Sequence, residues 1–161
     1  MRITKRSNLA LRVLMFCGVN SKRLVTKHDI AGKCNSSENH LGQVVNQLAQ
    51  AGFLDTVRGR GGGIRLGRVP TDIQIGEVFR LMESKKTVSE CFADVDNTCP
   101  LISACRLKAS ISAAVDAFYG KLDEITLDDL IGDNLGLEQI LCVDLPIGCS
   151  NPRTELAYSA G

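Results

Sequence analysis

The sequence predicts a mainly α-helical fold with one small β element. Three patterns predict it: two capped helical segments with a tight turn between them, a glycine-rich hairpin directly after them, and an apolar stripe with helical spacing across residues 106–125. A chain of 161 residues can form one domain with its own core, or a small domain joined to an oligomerisation element.

The first helix is predicted over the segment NLALRVLMFCGV. Four residues recur there with helical spacing and form one broad apolar stripe: Leu9, Val13, Phe16 and Cys17. Cys17 is therefore expected to be a core residue, and the helix is expected to end near Gly18.

Two further helices with a tight turn between them predict a helix-turn-helix. Thr26 is a predicted N-cap for the short segment KHDIAGKC, and Ser36 and Ser37 are both N-cap candidates for the next helix. That second helix is expected to end at Gly52 and to bury one apolar stripe, made of Leu41, Val44, Val45 and Leu48.

A β-hairpin is predicted immediately after these helices. FLDTV and IRL have strand composition, and the RGRGGG segment between them makes a turn that only glycines adopt easily. A hairpin appended to a helix-turn-helix is a winged helix. Residues 1–70 are therefore predicted to form a winged helix-turn-helix DNA-binding domain.

Polar side chains of this domain are candidate DNA contacts. The face of the second helix opposite its apolar stripe carries residues that can hydrogen-bond base edges in a major groove, namely Ser37, Asn39, His40 and Gln43. Arg58 and Arg60 lie at the predicted hairpin tip, where a guanidinium can enter a narrow minor groove or bind phosphates. Solvation alone explains each polar helix residue, but the neighbouring glycine-arginine wing favours DNA binding.

The charge distribution supports the same interpretation. Residues 1–68 hold twelve Lys and Arg against three acids, a net charge of +9, whereas residues 69–161 carry a net charge of −8. A positive half joined to a negative half indicates that the first half binds a polyanion such as double-stranded DNA. A solvated basic surface is the alternative.

Residues 71–131 are predicted to contain two helices with a cysteine loop between them. The first, IGEVFRLMES, turns Val78, Phe79 and Met82 inward. The second begins after Arg106, and its apolar stripe is longer than one small winged domain requires, so a partner helix from a second subunit is expected. A core helix within one chain is the alternative. The stripe consists of Leu107, Ile111, Ala114, Phe118, Leu122 and Ile125.

The end of the chain has weaker patterns. Thr126 with Asp129 resembles a capping box for a short helix through Ile131. Periodicity fades beyond Gly132, so residues 132–161 are predicted to be a partly disordered tail, with disorder over 151–161. Cys142 and Cys149 in this tail are expected to be free thiols.

Three cysteines, Cys91, Cys99 and Cys105, lie in the polar segment ECFADVDNTCPLISAC. Seven residues separate the first pair and five the second, which is not the CxxC spacing of a zinc ribbon. Three thiolates on one loop suit an iron–sulfur cluster, either 4Fe–4S or 2Fe–2S, with its remaining iron site held by another ligand. There are three alternatives to a cluster. The cysteines could be three unrelated buried thiols, they could bind zinc with a fourth ligand such as Asp94 or Asp96, or they could form a disulfide on oxidation.

Several segments together resemble the winged-helix iron–sulfur regulators that include IscR, NsrR and RirA. They are the opening MRITKRSNLALRVLMF, the wing TVRGRGGGIRLG, and TCPLISACRLK followed by AFYGKLDEITLDDL, which together span residues 1–131. The resemblance implies a homodimeric transcription factor whose cluster state controls DNA affinity. It also implies that the three loop cysteines are the ligands, that the helix after Ser36 reads the operator, and that the helix after Cys105 forms the dimer interface.

The chain departs from parts of that family, and the NsrR and RirA branches are the most similar. IscR-type proteins have a histidine ligand where this chain has Lys108, and a recognition-helix glutamate where it has Gly42. NsrR-type nitric oxide sensors often have an aspartate, supplied across the dimer, at the position of Asn8, and an amide oxygen is a poorer ligand for iron.

The predicted function is therefore a cluster-sensing DNA-binding regulator, a repressor that responds to nitric oxide or iron status. The alternative is a thiol-redox or zinc-bound regulator without a cluster. An enzyme is not expected, because both histidines, His28 and His40, lie in the helix-turn-helix and no phosphate loop or nucleophile motif is present. Without an apolar run of bilayer length or a signal-like segment after Met1, a cytoplasmic protein is expected.

Overall fold

The computed structural model describes residues 3–83, 92, 99–101 and 104–143. Its helices and strands are α1 (Lys5–Val19), α2 (Lys27–Cys34), α3 (Glu38–Gln50), β1 (Leu54–Val57), β2 (Gly63–Leu66), α4 (Ile75–Glu83), α5 (Arg106–Asp123), α6 (Leu127–Ile131) and α7 (Leu135–Leu141), with a 3₁₀ turn at Pro70–Asp72. The predicted mainly helical fold with a two-stranded wing is confirmed. None of the described helices is long and apolar enough to cross a lipid bilayer.

Helix α1 is the centre of the core. Val13, Leu14 and Phe16 are fully buried, and the helix packs against α2, α3, α4, α6, α7 and β2. Cys17 is buried among them, as its place in the apolar stripe predicts. One central helix thus holds the recognition elements and the C-terminal helices in a single core.

Side-chain caps fix the helix-turn-helix. The Thr26 hydroxyl accepts a hydrogen bond from Asp29 N–H, while the Asp29 carboxylate accepts one from Thr26 N–H, a complete capping box at the start of α2. Asn35 ends α2 in the left-handed conformation, and the Ser37 hydroxyl caps α3. The predicted burial of one apolar face of α3 is confirmed for all four residues.

The wing is an antiparallel hairpin in which Leu54 pairs with Leu66 and Val57 with Gly63. Its tip depends on glycine, because Gly59 and Gly61 have φ angles of 99° and 77°, in the left-handed region that side chains disfavour. Val25 adds a short β-bridge to Ile64 on the inner edge of the hairpin. This bridge joins the wing to the segment that leads into α2.

Helix α5 packs against α4 through its C-terminal half. The ring of Phe118 meets that of Phe79 edge to face, with centroids 6.1 Å apart, and Arg80 forms two 2.6 Å hydrogen bonds to the Asp123 carboxylate. Among the described residues, no residue of α5 is fully buried. The expectation that this helix meets a partner helix from a second subunit therefore stays a prediction.

Helix α7 was not expected from the sequence, because a seven-residue segment with an internal glycine has no clear periodicity. It is held by the buried side chain of Asn20, whose amide donates to Phe16 O and Leu141 O and whose carbonyl accepts from Val143 N–H. Cys142 is disulfide-bonded, so the expectation of a free thiol is wrong there. Cys149 and the predicted disorder at 151–161 lie outside the described residues.

Candidate DNA interface and cysteine loop

The exposed face of α3 presents most of the residues that the sequence predicts for base contacts. Asn39, His40 and Gln43 are exposed, and their side chains make no hydrogen bond within the described part of the chain. Asn46, also exposed, lies on the same line as Asn39 and Gln43, since these residues are spaced by four and three positions. Sequence reasoning missed Asn46, although this helical spacing would have identified it.

Ser37 has a second role that the sequence only partly indicates. Its hydroxyl oxygen accepts a hydrogen bond of 3.4 Å from His40 N–H as the N-cap of α3. The hydroxyl proton is still available to a phosphate or base acceptor. Ser37 therefore has a structural role as the N-cap of α3, in addition to the DNA contact that the sequence predicts for it.

The arginines of the wing divide into paired and unpaired groups. Arg65 forms an ion pair with Asp55 across the hairpin, and Arg68 binds Glu77 and the carbonyl of Ala51. Arg58 and Arg60 at the tip are exposed and make no ion pair within the described residues. The two predicted DNA-contact arginines are thus the ones that no acid of the described chain neutralises.

A groove of about 560 Å³ lies between the helix-turn-helix and the wing. One wall is formed by the start of α2 and the exposed side of α3, including Lys27, His28 and Asn46, and the other by Arg58 with the backbone of Gly62 and Gly63. No carboxylate lines it among the described residues. Its walls are therefore positive or neutral throughout.

The capping box of α2 holds one wall of this groove. The hydrogen bond from Thr26 N–H lowers the pKa of the Asp29 carboxyl below its ordinary value, with Arg23 and His28 adding to the effect. Asp29 is therefore ionised at neutral pH, and its bonds fix the helix end that carries Lys27 and His28.

Two of the three predicted metal ligands belong to the described residues. Cys99 and Cys105 are half-buried and form no disulfide, and Cys105 is the N-cap residue of α5. Cys91, like Asp94 and Asp96, lies outside the described residues. The described residues alone contain no group of three metal-binding side chains.

Phe92 connects the first cysteine of the loop to α5. Its ring lies 5.8 Å from the ammonium of Lys108, in the first turn of the helix that Cys105 begins. Phe92 directly follows Cys91 in the chain. Lys108, which stands where IscR-type proteins have a histidine, therefore contacts the loop through a cation–π interaction.

The remaining described thiols are unsuited to metal binding. Burial raises the pKa of Cys17 to about 12, with neighbouring Cys34 adding to the effect, and burial also raises the pKa of Cys34. Only a thiolate binds metal, so these two residues serve the core.

Two hydrogen-bonded contacts join the end of α4, directly before the cysteine loop, to the DNA-binding domain. The Gln47 amide of α3 donates to Leu81 O at 2.9 Å. The Glu83 carboxylate accepts from Thr4 N–H at 3.0 Å and from the Ser7 hydroxyl, both at the start of α1. The last turn of α4 is thus tied to both α3 and α1.

Comparison with known proteins supports this architecture. A family model described as "Rrf2: Iron-dependent Transcriptional regulator" matches residues 3–133. The transcriptional regulator NsrR of Geobacillus kaustophilus is 41% identical over 142 residues, which cover 88% of this chain and 97% of that protein.

Solved structures of similar fold include two other regulators. IscR of T. potens matches with a TM-score of 0.63 and 26% identity, covering 83% of this chain and 88% of that one. CymR of B. subtilis, described as a global cysteine regulator, matches with a TM-score of 0.60 and 26% identity, covering 81% and 96%.

Proposed function

The chain belongs to the Rrf2 family of transcriptional regulators, and from this premise we propose that it is a homodimeric repressor that senses nitric oxide or iron through an iron–sulfur cluster. The observation that carries the cluster proposal is that two cysteines of the loop, Cys99 and Cys105, are half-buried rather than core residues, and that Cys105 is the N-cap residue of α5. With Cys91 from the same loop they supply three soft ligands.

Operator binding is proposed to use α3 and the wing together. In this proposal α3 enters a major groove, where the amides of Asn39, Gln43 and Asn46 can donate to and accept from base edges. Arg58 and Arg60 reach the adjacent minor groove or its phosphates. In a dimer, two such α3 helices read half-sites roughly one helical turn, about 34 Å, apart.

The donor set fits an iron–sulfur cluster. Cys105 is the N-cap residue of α5 and its side chain makes no capping hydrogen bond, so its sulfur is not committed to the helix end. A bound cluster would supply an iron without a strong protein ligand, a site open to nitric oxide or to iron loss. The neutral, buried thiols of Cys17 and Cys34 do not compete for it.

Transmission to DNA is proposed to pass through the end of α4. Gln47 ties α3 to Leu81, only ten residues before Cys91, and Glu83 ties the same turn to the start of α1. A change in the loop that shifts this turn would therefore move the recognition helix relative to its counterpart in the dimer. Two-state coupling of this kind needs no contact between the loop and DNA.

A cluster-free regulator is the second candidate. It is favoured by the structural likeness to a cysteine regulator and by the accessibility of the Cys99 and Cys105 thiols, which can form a disulfide or bind zinc. Protein purified anaerobically separates the two: a brown colour with visible absorbance supports the cluster, and a colourless protein supports zinc or thiol chemistry.

Removal of each loop thiol tests the ligand set. Cys91→Ala, Cys99→Ala and Cys105→Ala should each lose stable iron and sulfide, measured per monomer after anaerobic reconstitution. Cys142→Ala is the control, because its disulfide-bonded sulfur is not available as a ligand, and it should keep both. Full retention by a loop variant would remove that residue from the set.

Arg60→Ala separates DNA binding from cluster binding. We expect unchanged iron, sulfide and visible spectrum, because Arg60 lies at the exposed wing tip, but weaker operator affinity. If Arg60 binds a phosphate, the slope of log affinity against log salt should fall by about one. Unchanged affinity across a salt series would place Arg60 outside the interface.

A further inference from the structure

Gly42 lies in the interior of α3, and neither the backbone nor the packing explains it. An internal glycine destabilises a helix relative to alanine. Among the described residues Gly42 is not one of the glycines with positive φ, and only Lys27 Nζ, 3.9 Å away, lies within 4 Å of a Cβ built there. A side chain would fit without a clash, so the absence of one indicates a role outside the fold.

Because Gly42 has no side chain, it leaves space in the groove between α3 and the wing. Gly42 lines its helical wall, and the Lys27 ammonium, at the first residue of α2, lies over the helix at this point. Lys27 makes no ion pair within the described part of the chain. Across the groove lie Arg58, also unpaired, and the glycine backbone of the wing.

The shape and charge of the groove determine its occupant. The protein groove lies between α3, which is proposed to enter a major groove of DNA, and the hairpin, which is proposed to enter the adjacent minor groove. In duplex DNA, one sugar–phosphate strand separates a major groove from the adjacent minor groove. Both walls carry unpaired cations, and no acid lines the groove among the described residues. This complementarity favours a phosphate backbone over a basic or apolar partner.

We propose that this groove holds one strand of the operator, that Lys27 binds a phosphate of that strand, and that Gly42 gives the strand room to reach the Lys27 ammonium. The inference rests on the DNA-binding part of the proposed function and is independent of the cluster. It assigns a role in DNA binding to Lys27 and Gly42, neither of which is among the DNA-contact residues predicted from the sequence.

The test uses matched glycine substitutions. Gly42→Gln adds a neutral side chain with good helix propensity, and Gly32→Gln adds the same side chain in α2, where nothing lies within 4 Å of the added Cβ. Both variants should melt at or above the wild-type temperature. Gly32→Gln should bind the operator like wild type, whereas Gly42→Gln should bind about tenfold more weakly, the order expected when a hydrogen bond to a charged group is lost.

Lys27→Gln completes the test, read by fluorescence anisotropy with the operator and an unrelated duplex of equal length. It should weaken binding to both by a similar factor and lower the salt slope by about one. Three results would each overturn the inference: equal affinities for Gly42→Gln and Gly32→Gln, an unchanged slope for Lys27→Gln, or a loss confined to the operator. If wild type binds neither duplex, the proposed function itself fails.

Discussion

Asn8 lies on the exposed side of α1, next to the turn that Thr4 and Ser7 attach to Glu83. In the proposed homodimer, the family resemblance implies that this position would lie near the cluster of the partner subunit. A carboxylate is a better ligand for iron than an amide oxygen, so Asn8→Asp should slow the loss of iron to a chelator and shift the visible spectrum. Because the side chain is exposed, thermal stability should change little.

Asn39→Asp is a suitable control for the Asn8 variant, since it makes the same substitution at another exposed helical position, in the DNA-binding face. It should leave the chelation rate unchanged. Identical spectra and chelation rates for wild type and Asn8→Asp would show that Asn8 is an ordinary surface residue. The search for a further ligand would then turn to Glu90, Asp94 and Asp96.

Asp29 gives the fold a pH-dependent contribution. Its pKa is lowered by the hydrogen bond from Thr26 N–H, so the ionised carboxyl stabilises the folded state above its unfolded pKa of about 3.9, and this stabilisation is lost as the pH falls through the lower folded pKa. Asp29→Ala should lose about 0.5–1 kcal/mol of unfolding free energy at pH 7.

Thermal or urea unfolding from pH 7 to pH 2 checks the prediction for Asp29. The difference between wild type and Asp29→Ala should shrink as the pH drops below 4. Asp116→Ala, which removes an exposed carboxylate without a hydrogen bond in the described chain, should show no such convergence. A constant difference down to pH 2 would mean that the capping box does not depend on ionised Asp29.

Residue types at helix boundaries were predictable from sequence, but side-chain pairing was not. Thr26 and Ser37 could be predicted as caps because capping is local in the chain. The approach of Lys27 to Gly42 and the bond from Gln47 to Leu81 depend on how helices pack, so no pattern in one segment reveals them. Asn46 is an intermediate case: its place beside Gln43 follows from helical spacing, but the sequence reasoning did not use it.

In the proposed sensing mechanism, the contact between α3 and α4 connects the cysteine loop to the recognition helix. The Gln47 amide of α3 donates a hydrogen bond of 2.9 Å to Leu81 O near the end of α4. Gln47→Met keeps a similar volume and removes the donor. We expect the ratio of operator affinities between cluster-loaded and cluster-free protein to move toward one, by at least threefold, a coupling loss of about 0.7 kcal/mol.

Gln50→Met makes the same substitution on the same helix at an exposed position without a hydrogen bond in the described chain, and it should keep the wild-type ratio. Iron and sulfide content is measured for both variants first, so that lost coupling is not mistaken for a lost cluster. An unchanged ratio for Gln47→Met would exclude this contact from the signalling route.

Elements with strong local signals were predictable, and those stabilised by distant contacts were not. The glycines of the wing and the stripe of α3 specify their structures locally, and both predictions were confirmed. Helix α7 depends on the buried Asn20, more than a hundred residues away in sequence. A helix of seven residues is marginal by itself, so this tertiary contact stabilises α7.

Charge is distributed unequally along the chain, with a basic first half and an acidic second half. The basic half of the chain carries the groove, the wing and the exposed face of α3, while the acidic half carries α5, whose apolar stripe is only partly covered by the residues that the structure describes. Leu107 is 65% exposed, and Ile111, Val115 and Phe118 are each only partly buried. An apolar helical stripe of this length is typical of an interface with a second helix, which supports the proposed homodimer.

Ala114 and Ala113 provide a matched test of that interface, since both are exposed neighbours on α5 but only Ala114 lies on the apolar stripe. Ala114→Glu should weaken the dimer at least tenfold, about 1.4 kcal/mol, because a carboxylate would be buried between apolar side chains. Ala113→Glu should leave it unchanged. Sedimentation equilibrium measures both, and affinity for a two-half-site operator should fall only for Ala114→Glu, with single half-site binding retained. Equal dimer affinities for the two variants would place the subunit interface elsewhere and leave the stripe of α5 without a role in operator spacing.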